Sequence, residues 1–213
     1  MSIISVLRTT RLALASMAAV FAFALGAIES AAQTDEAQAG QYPIMSLGSE
    51  SAQVTVTEYA SLTCPHCASF HARVFPTLKQ NYIDTGKIRY EVVEVYFNRY
   101  GLIASVVARC GGPDKYFDLI DLMYAKQPEW SSQPTGNKML MRLSSLARSV
   151  GVSEEQLNQC IRDEEMVETL VSGSDKLMSR HGISSTPSFV INGKTYKNMS
   201  YDEMAGIIDE ALN

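Results

Sequence analysis

Two cysteines separated by two residues, Cys64-Pro65-His66-Cys67, stand where a strand gives way to a helix. The stretch before them, Val54-Thr55-Val56-Thr57-Glu58-Tyr59-Ala60, is rich in β-branched residues and predicts a strand. After them, Cys67, Phe70, Val74 and Leu78 recur at helical spacing, to about Asp84. A helix N-terminus carries unpaired N–H groups and partial positive charge, so a thiolate placed there is stabilised. Pro65 suits the first helical position, where a missing N–H costs nothing. This spacing puts Cys64 at an exposed tip and Cys67 on the apolar face. Disulfide exchange needs that asymmetry: one reachable sulfur and one shielded partner.

The start of the chain bears on how those cysteines are read. Arg8 and Arg11 precede an uncharged run from Leu12 to Ile28, followed by Ser30-Ala31-Ala32. A basic start, an apolar run and small residues predict a secretory signal peptide over 1–32, with an uncleaved membrane anchor as the alternative. Either reading sends the folded part out of the cytosol, where disulfides persist. Residues 33–43 are small and polar and predict a linker. The net charge is −5 and there is no basic block, which argues against a nucleic-acid partner.

The remaining order can be read from periodicity. A short edge strand is expected within Tyr42 to Leu47, and a second core strand from Lys87 to Phe97. Strand, helix and strand in so short a span make a βαβ unit with a parallel pair. Pro76 should kink or break the helix between them. From about Leu102 the pattern is helical throughout. Asp114 is expected to cap one helix, Pro128 to Gly136 to form a loop, and Ser153-Glu154-Glu155-Gln156 to form a capping box. Ser188 to Ile191 then predicts a strand, Asn192-Gly193 a tight hairpin turn, and Lys194 to Tyr196 the returning strand. Ser200-Tyr201-Asp202-Glu203 reads as a second capping box, opening a terminal helix. The whole is an α/β chain: a thioredoxin-like fold over 44–97 and 183–213, interrupted by an all-helical insertion at 98–182.

Cys64-Pro65-His66-Cys67, Thr186-Pro187 ahead of a strand, and the helical block between them resemble the DsbA family of bacterial thiol:disulfide oxidoreductases. The resemblance runs over roughly residues 44–213. It implies that Cys64 is the nucleophile and Cys67 the resolving thiol, with Pro65 and His66 tuning the pair. It further implies that Thr186-Pro187 faces the active site as a cis-proline turn beside the bound substrate strand. Glu58 would be the buried acid beneath the disulfide, exchanging protons with Cys67 or destabilising the thiolate state by proximity. Alternation along the strand leaves Glu58 either on the buried face or in solvent at the strand end. The implied activity is donation of the Cys64–Cys67 disulfide to unfolded exported proteins in the periplasm, with a DsbB-type membrane reoxidant. No cofactor beyond the cysteine pair is expected. An isomerase or reductase on the same scaffold, and a non-catalytic exported binding protein, are the alternatives.

Cys110 and Cys160 both fall on apolar helix faces. They are either two buried free thiols or, in an exported chain with four cysteines, a structural disulfide, which is the favoured reading. Such a bond would close a loop of about 50 residues and stabilise the fold by roughly 4 kcal/mol on the chain-entropy account. His71 and His181 read as ordinary surface or boundary residues. A zinc site of Cys64, Cys67 and His71 is set aside, because the adjacent proline and an oxidising compartment oppose it, so no metal is expected.

Overall fold

The computed structural model describes residues 42–213; the expectations of a signal peptide and of most of the linker lie outside the described residues. Five strands form one sheet: β1 (Met45–Leu47), β2 (Val54–Ala60), β3 (Ile88–Glu94), β4 (Ser188–Ile191) and β5 (Lys194–Lys197). Their order across it is β1-β3-β2-β4-β5. β2 and β3 run parallel, from Val54 opposite Ile88 to Ala60 opposite Glu94, as the βαβ reading requires. β4 lies antiparallel on the other side of β2. β2 is therefore the central strand, and Val54, Val56 and Glu58 on one of its faces are all fully buried. The hairpin between β4 and β5 turns through Asn192 and Gly193, both at positive φ, as the dipeptide predicts.

The crossover from β2 to β3 begins with α1 (Pro65–Arg73) and α2 (Phe75–Leu78) and ends in a π-helical turn, Lys79–Ile83. The interruption falls at Val74, two residues ahead of Pro76, which sits in the first turn of α2. The proline ring would crowd the carbonyl four residues back, so an unbroken helix is not available to this sequence.

Six further helices separate β3 from β4: α3 (Arg99–Arg109), α4 (Pro113–Ala125), α5 (Gln127–Ser131), α6 (Gly136–Ser149), α7 (Glu154–Cys160) and α8 (Glu164–His181). α9 (Tyr201–Leu212) closes the chain. Several sequence expectations change in detail. α5 occupies part of the expected loop at 128–136: Pro128 fits a first turn, and buried Trp130 donates Nε1–H to the Met123 carbonyl at 2.7 Å. Asp114 does not cap α4; Gly112 holds the cap position and Asp114 lies inside the first turn. Ser153 and Gln156 form both halves of their capping box, whereas at α9 the Ser200 hydroxyl accepts from the Glu203 N–H. Cys110, at the end of α3, and Cys160, the last residue of α7, are joined by a disulfide, so they are not free thiols.

The helical block is tied to the sheet by a second buried charge. Glu94 ends β3 and meets Arg109 of α3, whose Nε and Nη2 reach its two carboxylate oxygens at 2.7 and 2.5 Å. Tyr116 of α4 donates to the same carboxylate at 2.9 Å, and the Ser174 hydroxyl of α8 donates to the Glu94 carbonyl at 2.7 Å. Tyr42 also hydrogen-bonds to Glu94, and Arg109 Nη1 reaches the Pro43 carbonyl at 2.7 Å. The chain is thus anchored from Tyr42 onward, inside the stretch expected to be linker. Gly173 makes this possible, since a Cβ there would sit 2.8 Å from the Tyr42 ring. Replacing Arg109 by Met strands the Glu94 carboxylate, and loss of one partner of a buried pair costs about 3–5 kcal/mol. Urea unfolding of Arg109→Met is expected to show that loss; a midpoint equal to wild type would contradict it.

Candidate active site

The site is assembled where β2 runs out. Ser61 and Leu62 are buried behind the turn, and the Cys64 N–H donates to the Ser61 carbonyl at 3.0 Å. Cys64 takes the N-cap position of α1 in an extended conformation, and Pro65 follows in the first turn. The backbone N–H groups of His66 and Cys67 in that turn face the Cys64 sulfur. Gln127, the first residue of α5, holds this turn from above. Its Nε2 donates to the carbonyls of Leu62 at 2.7 Å and Cys64 at 3.0 Å. Nothing in the sequence singled out Gln127; its role exists only once α5 folds over the turn.

Both active-site sulfurs are free thiols: Cys64 partly exposed, Cys67 fully buried. Their titrations are driven apart. Cys64 is lowered from 9.0 to about 5, led by a hydrogen bond from Cys67. Burial opposes the shift, and the Thr186 side chain and the backbone N–H groups of Cys67 and His66 add to it. Cys67 is held far above its ordinary value by the same hydrogen bond, then by burial and by the charge of Glu58. His66 itself is exposed, and its backbone is what acts on the sulfur.

Thr186 and Pro187 are remote in sequence but arrive beside Cys64. The Thr186–Pro187 peptide is cis, and the Thr186 carbonyl accepts from the Cys64 thiol at 3.4 Å. Glu58 has no solvent exposure, which selects the buried alternative. Its Oε2 accepts from the Tyr90 hydroxyl of β3 and contacts His71 Nε2 at 3.0 Å.

His71 corrects the sequence reading. It is not a surface residue: its side chain is 2% exposed and lies between two carboxylates. Nδ1 is 3.0 Å from Oδ1 of Asp121 on α4, which is itself half exposed. The Tyr124 and Phe75 rings pack on the imidazole, with centroids at 4.4 and 4.8 Å. Burial pulls its titration down, yet the Glu58 charge and the hydrogen bonds and charge of Asp121 raise it to about 9. The signal for this lay in the spacing, because His71 is four residues past Cys67 and shares its buried helix face. Asp121, fifty residues on, carried no such signal. His181, by contrast, lies at the α8 end and is partly exposed. Among the described residues no group of three or more His, Cys, Asp or Glu side chains is arranged to hold a metal ion. A groove of about 760 Å³ opens beside the site, with Pro65, His71, Asp121, Tyr124 and Gln127 among its walls.

Such an arrangement can hold a thiolate on Cys64 at neutral pH while keeping a proton on Cys67. That is the chemistry of a dithiol poised for exchange with another disulfide.

Known proteins resemble this chain in sequence and fold. The family model described as Thioredoxin matches residues 41–210. A Rickettsia bellii protein whose assigned name is protein-disulfide oxidoreductase is 37% identical over 169 residues, 79% of this chain and 64% of that protein. The chain thus spans less than two thirds of the rickettsial relative. Disulfide bond formation protein D of Bacillus subtilis is 29% identical over 189 residues, 84% of this chain and 83% of that one. Among solved structures, Wolbachia pipientis alpha-DsbA1 superposes with a TM-score of 0.73 at 27% identity, covering 80% of this chain and 91% of that chain. Oxidised BdbD from Bacillus subtilis superposes with a TM-score of 0.70 at 27% identity, covering 81% and 94%.

The lowered Cys64 titration has two measurable consequences. Alkylation of the reduced protein by iodoacetamide is expected to rise through a midpoint near pH 5, with Cys67 unmodified; a midpoint near the ordinary thiol value would contradict the site. A depressed thiol also stabilises the folded reduced state. That contribution is complete above about pH 9, shrinks as pH falls, and is gone below about pH 5. Thermal melts of the reduced protein and of reduced Cys64→Ser should therefore differ in pH dependence between about pH 5 and pH 9 and run parallel outside that window.

Proposed function

The chain belongs to the thioredoxin family, on its DsbA-like side, and from that premise we propose that it is an exported thiol:disulfide oxidoreductase acting as a disulfide donor. The observation that carries this reading is a partly exposed Cys64 thiol at the start of α1 beside the cis Thr186–Pro187 peptide, with the Cys67 thiol fully buried one helical turn on. A substrate thiolate attacks Sγ of Cys64 in the Cys64–Cys67 disulfide. The sulfur–sulfur bond breaks, its electron pair goes to Cys67, and a mixed disulfide joins substrate to Cys64. A second substrate thiolate then attacks its own sulfur in that mixed disulfide and expels Cys64 as thiolate. The substrate leaves with two electrons fewer and a new disulfide; the protein keeps Cys64 as thiolate and Cys67 as thiol. Expulsion is favoured because Cys64 is a stabilised leaving group.

The Thr186 backbone beside Cys64 supports pairing with an extended substrate segment, as strand addition at a sheet end would provide. Substrates of this reading are unfolded exported proteins with paired cysteines. Reoxidation falls to a membrane partner of the DsbB type, in the periplasm. The apolar start of the sequence, read as a signal peptide at 1–32, supports export.

The test uses purified protein with a reduced, unfolded substrate carrying several cysteines. Oxidised wild type is expected to restore its disulfides, and Cys64→Ser and Cys67→Ala, neither of which can hold the active-site disulfide, to be inactive. Efficient shuffling of a scrambled substrate, with little net oxidation, would sink the donor reading in favour of an isomerase.

A further inference from the structure

The exchange described above needs a proton at a place bulk solvent does not reach. When the active-site disulfide is opened, the electron pair arrives on the Cys67 sulfur, which has no solvent exposure and lies within the field of the Glu58 carboxylate. A bare thiolate there, beside a second buried negative charge, is the costliest species in the cycle. It must be protonated as it forms and must lose that proton when the pair is reoxidised.

We propose that His71 is the proton store for Cys67: held between Glu58 and Asp121, it passes a proton inward through Glu58 on reduction and takes it back on reoxidation. The inference rests on the oxidoreductase reading and adds to it the route of the proton.

The geometry singles out this route. Each ring nitrogen of His71 is 3.0 Å from a carboxylate oxygen, so both are engaged at once. A histidine kept only for packing needs one partner at most; two carboxylates on opposite edges hold the imidazolium. The ring stacks with Phe75 and Tyr124, which fixes its orientation without removing either contact. Glu58 is the bridge, because its Oε2 meets the Nε2 of His71 while Oε1 has no hydrogen-bond partner among the described residues. An unpartnered buried carboxylate oxygen is a place for a travelling proton.

Every other titratable group around the pair is unsuited to the task. Tyr90 of β3 donates to Glu58, and Tyr124 of α4 stacks on His71, but burial holds both phenols well above their ordinary range and their protons stay put. Cys64 of the active-site turn ends the step as thiolate and has no proton to give. Asp121 of α4 opens to the groove, where it meets solvent.

The step balances as follows. In the oxidised protein His71 is the imidazolium. As the Cys64–Cys67 bond breaks, Glu58 receives the Nε2 proton of His71 on Oε2, a half-turn of the carboxyl exchanges its oxygens, and the proton crosses to the Cys67 sulfur through one intervening water, since the two side chains make no hydrogen bond. Just after opening, before the ring regains the charge that this dithiol structure favours, the site holds a neutral Nδ1–H imidazole on Asp121, the Glu58 carboxylate and the Cys67 thiol. Reoxidation removes two electrons to the reoxidant and returns the proton along the same atoms to Nε2. Because the flow reverses once per cycle, the ring never has to flip.

The test follows reduction of the oxidised full-length protein by dithiothreitol in stopped flow, from pH 5 to 10, in H₂O and D₂O. Rates are corrected for the thiolate fraction of the reagent. For wild type the corrected rate is expected to fall as pH rises through about 9, where His71 loses its charge. His71→Gln should lose that limb and slow by about tenfold or more at pH 7, the scale of a positioned proton donor. Asp121→Asn, at a half-exposed position that puts folding at little risk, removes a contact that raises His71 and should shift the limb to lower pH. For His71→Ala, added imidazole should restore rate through the groove. A structural role alone would move neither the limb nor the solvent isotope effect. Wild type that exchanges normally while His71→Gln and Asp121→Asn keep its profile overturns the proton store alone. Wild type that fails to exchange with any dithiol overturns the oxidoreductase reading, and the proton store with it.

Discussion

The arrangement of the site depends on one buried charge. Glu58 lies in the middle of the central strand with no solvent exposure, and an ion so placed costs several kcal/mol unless its neighbours compensate. The compensation comes from three directions: Tyr90 on the adjacent parallel strand, His71 on the helix above it, and Asp121 behind His71 on the helical insertion. Each contact fixes a different element. Tyr90 belongs to β3, His71 to the face of α1 that carries Cys67, and Asp121 to α4. Satisfying Glu58 therefore locks the active-site helix against both the sheet and the insertion.

A parallel arrangement at the end of β3 does the same for the rest of the insertion. Glu94 and Arg109 are as fully buried, and Tyr42, Tyr116 and Ser174 complete their shell. The two clusters sit on neighbouring parallel strands and share no residue. One faces the cysteine pair and contains an ionisable ring that can give up its charge at about pH 9. The other contains an arginine, which cannot give up its proton, and so serves only to hold α3, α4, α8 and the chain start together. The difference between a structural and a chemical charge cluster comes down to which cation was buried.

Most of the fold was legible in the sequence, because it rests on local periodicity. Alternation located β2, helical spacing located α1, and Asn192-Gly193 located the last hairpin. What alternation could not decide was whether Glu58 is buried, since a strand end can face either way. Pairing on both sides, with β3 and β4, decides it by making β2 central. His71 was misread for a related reason. Its place four residues after Cys67 put it on the buried face, but a buried histidine is credible only with partners, and those lie 13 and 50 residues away. Gln127 and the Thr186 contact to Cys64 likewise depend on long-range folding. The short helix over 127–131 was missed because its proline looked like a loop residue, although a first turn accepts one.

The origin of the reactive thiolate also shifts once the structure is in hand. From the sequence, the helix start was the leading reason for a low Cys64 titration. A helix terminus is worth roughly 0.3–1 kcal/mol at an exposed site, which is less than about one pKa unit. The fall from 9.0 to about 5 is several times larger. The hydrogen bond from Cys67 leads it, and Cys67 can donate because burial and the Glu58 charge keep its proton in place. The acid beneath the site and the nucleophile at its surface are thus two ends of one chain of interactions. Glu58 holds the proton on Cys67, Cys67 stabilises the charge on Cys64, and the helix terminus adds the smaller share. The reactivity at the tip of α1 is set from beneath, by a buried thiol whose proton is held in place by its bond to Cys64, by burial and then by the Glu58 charge.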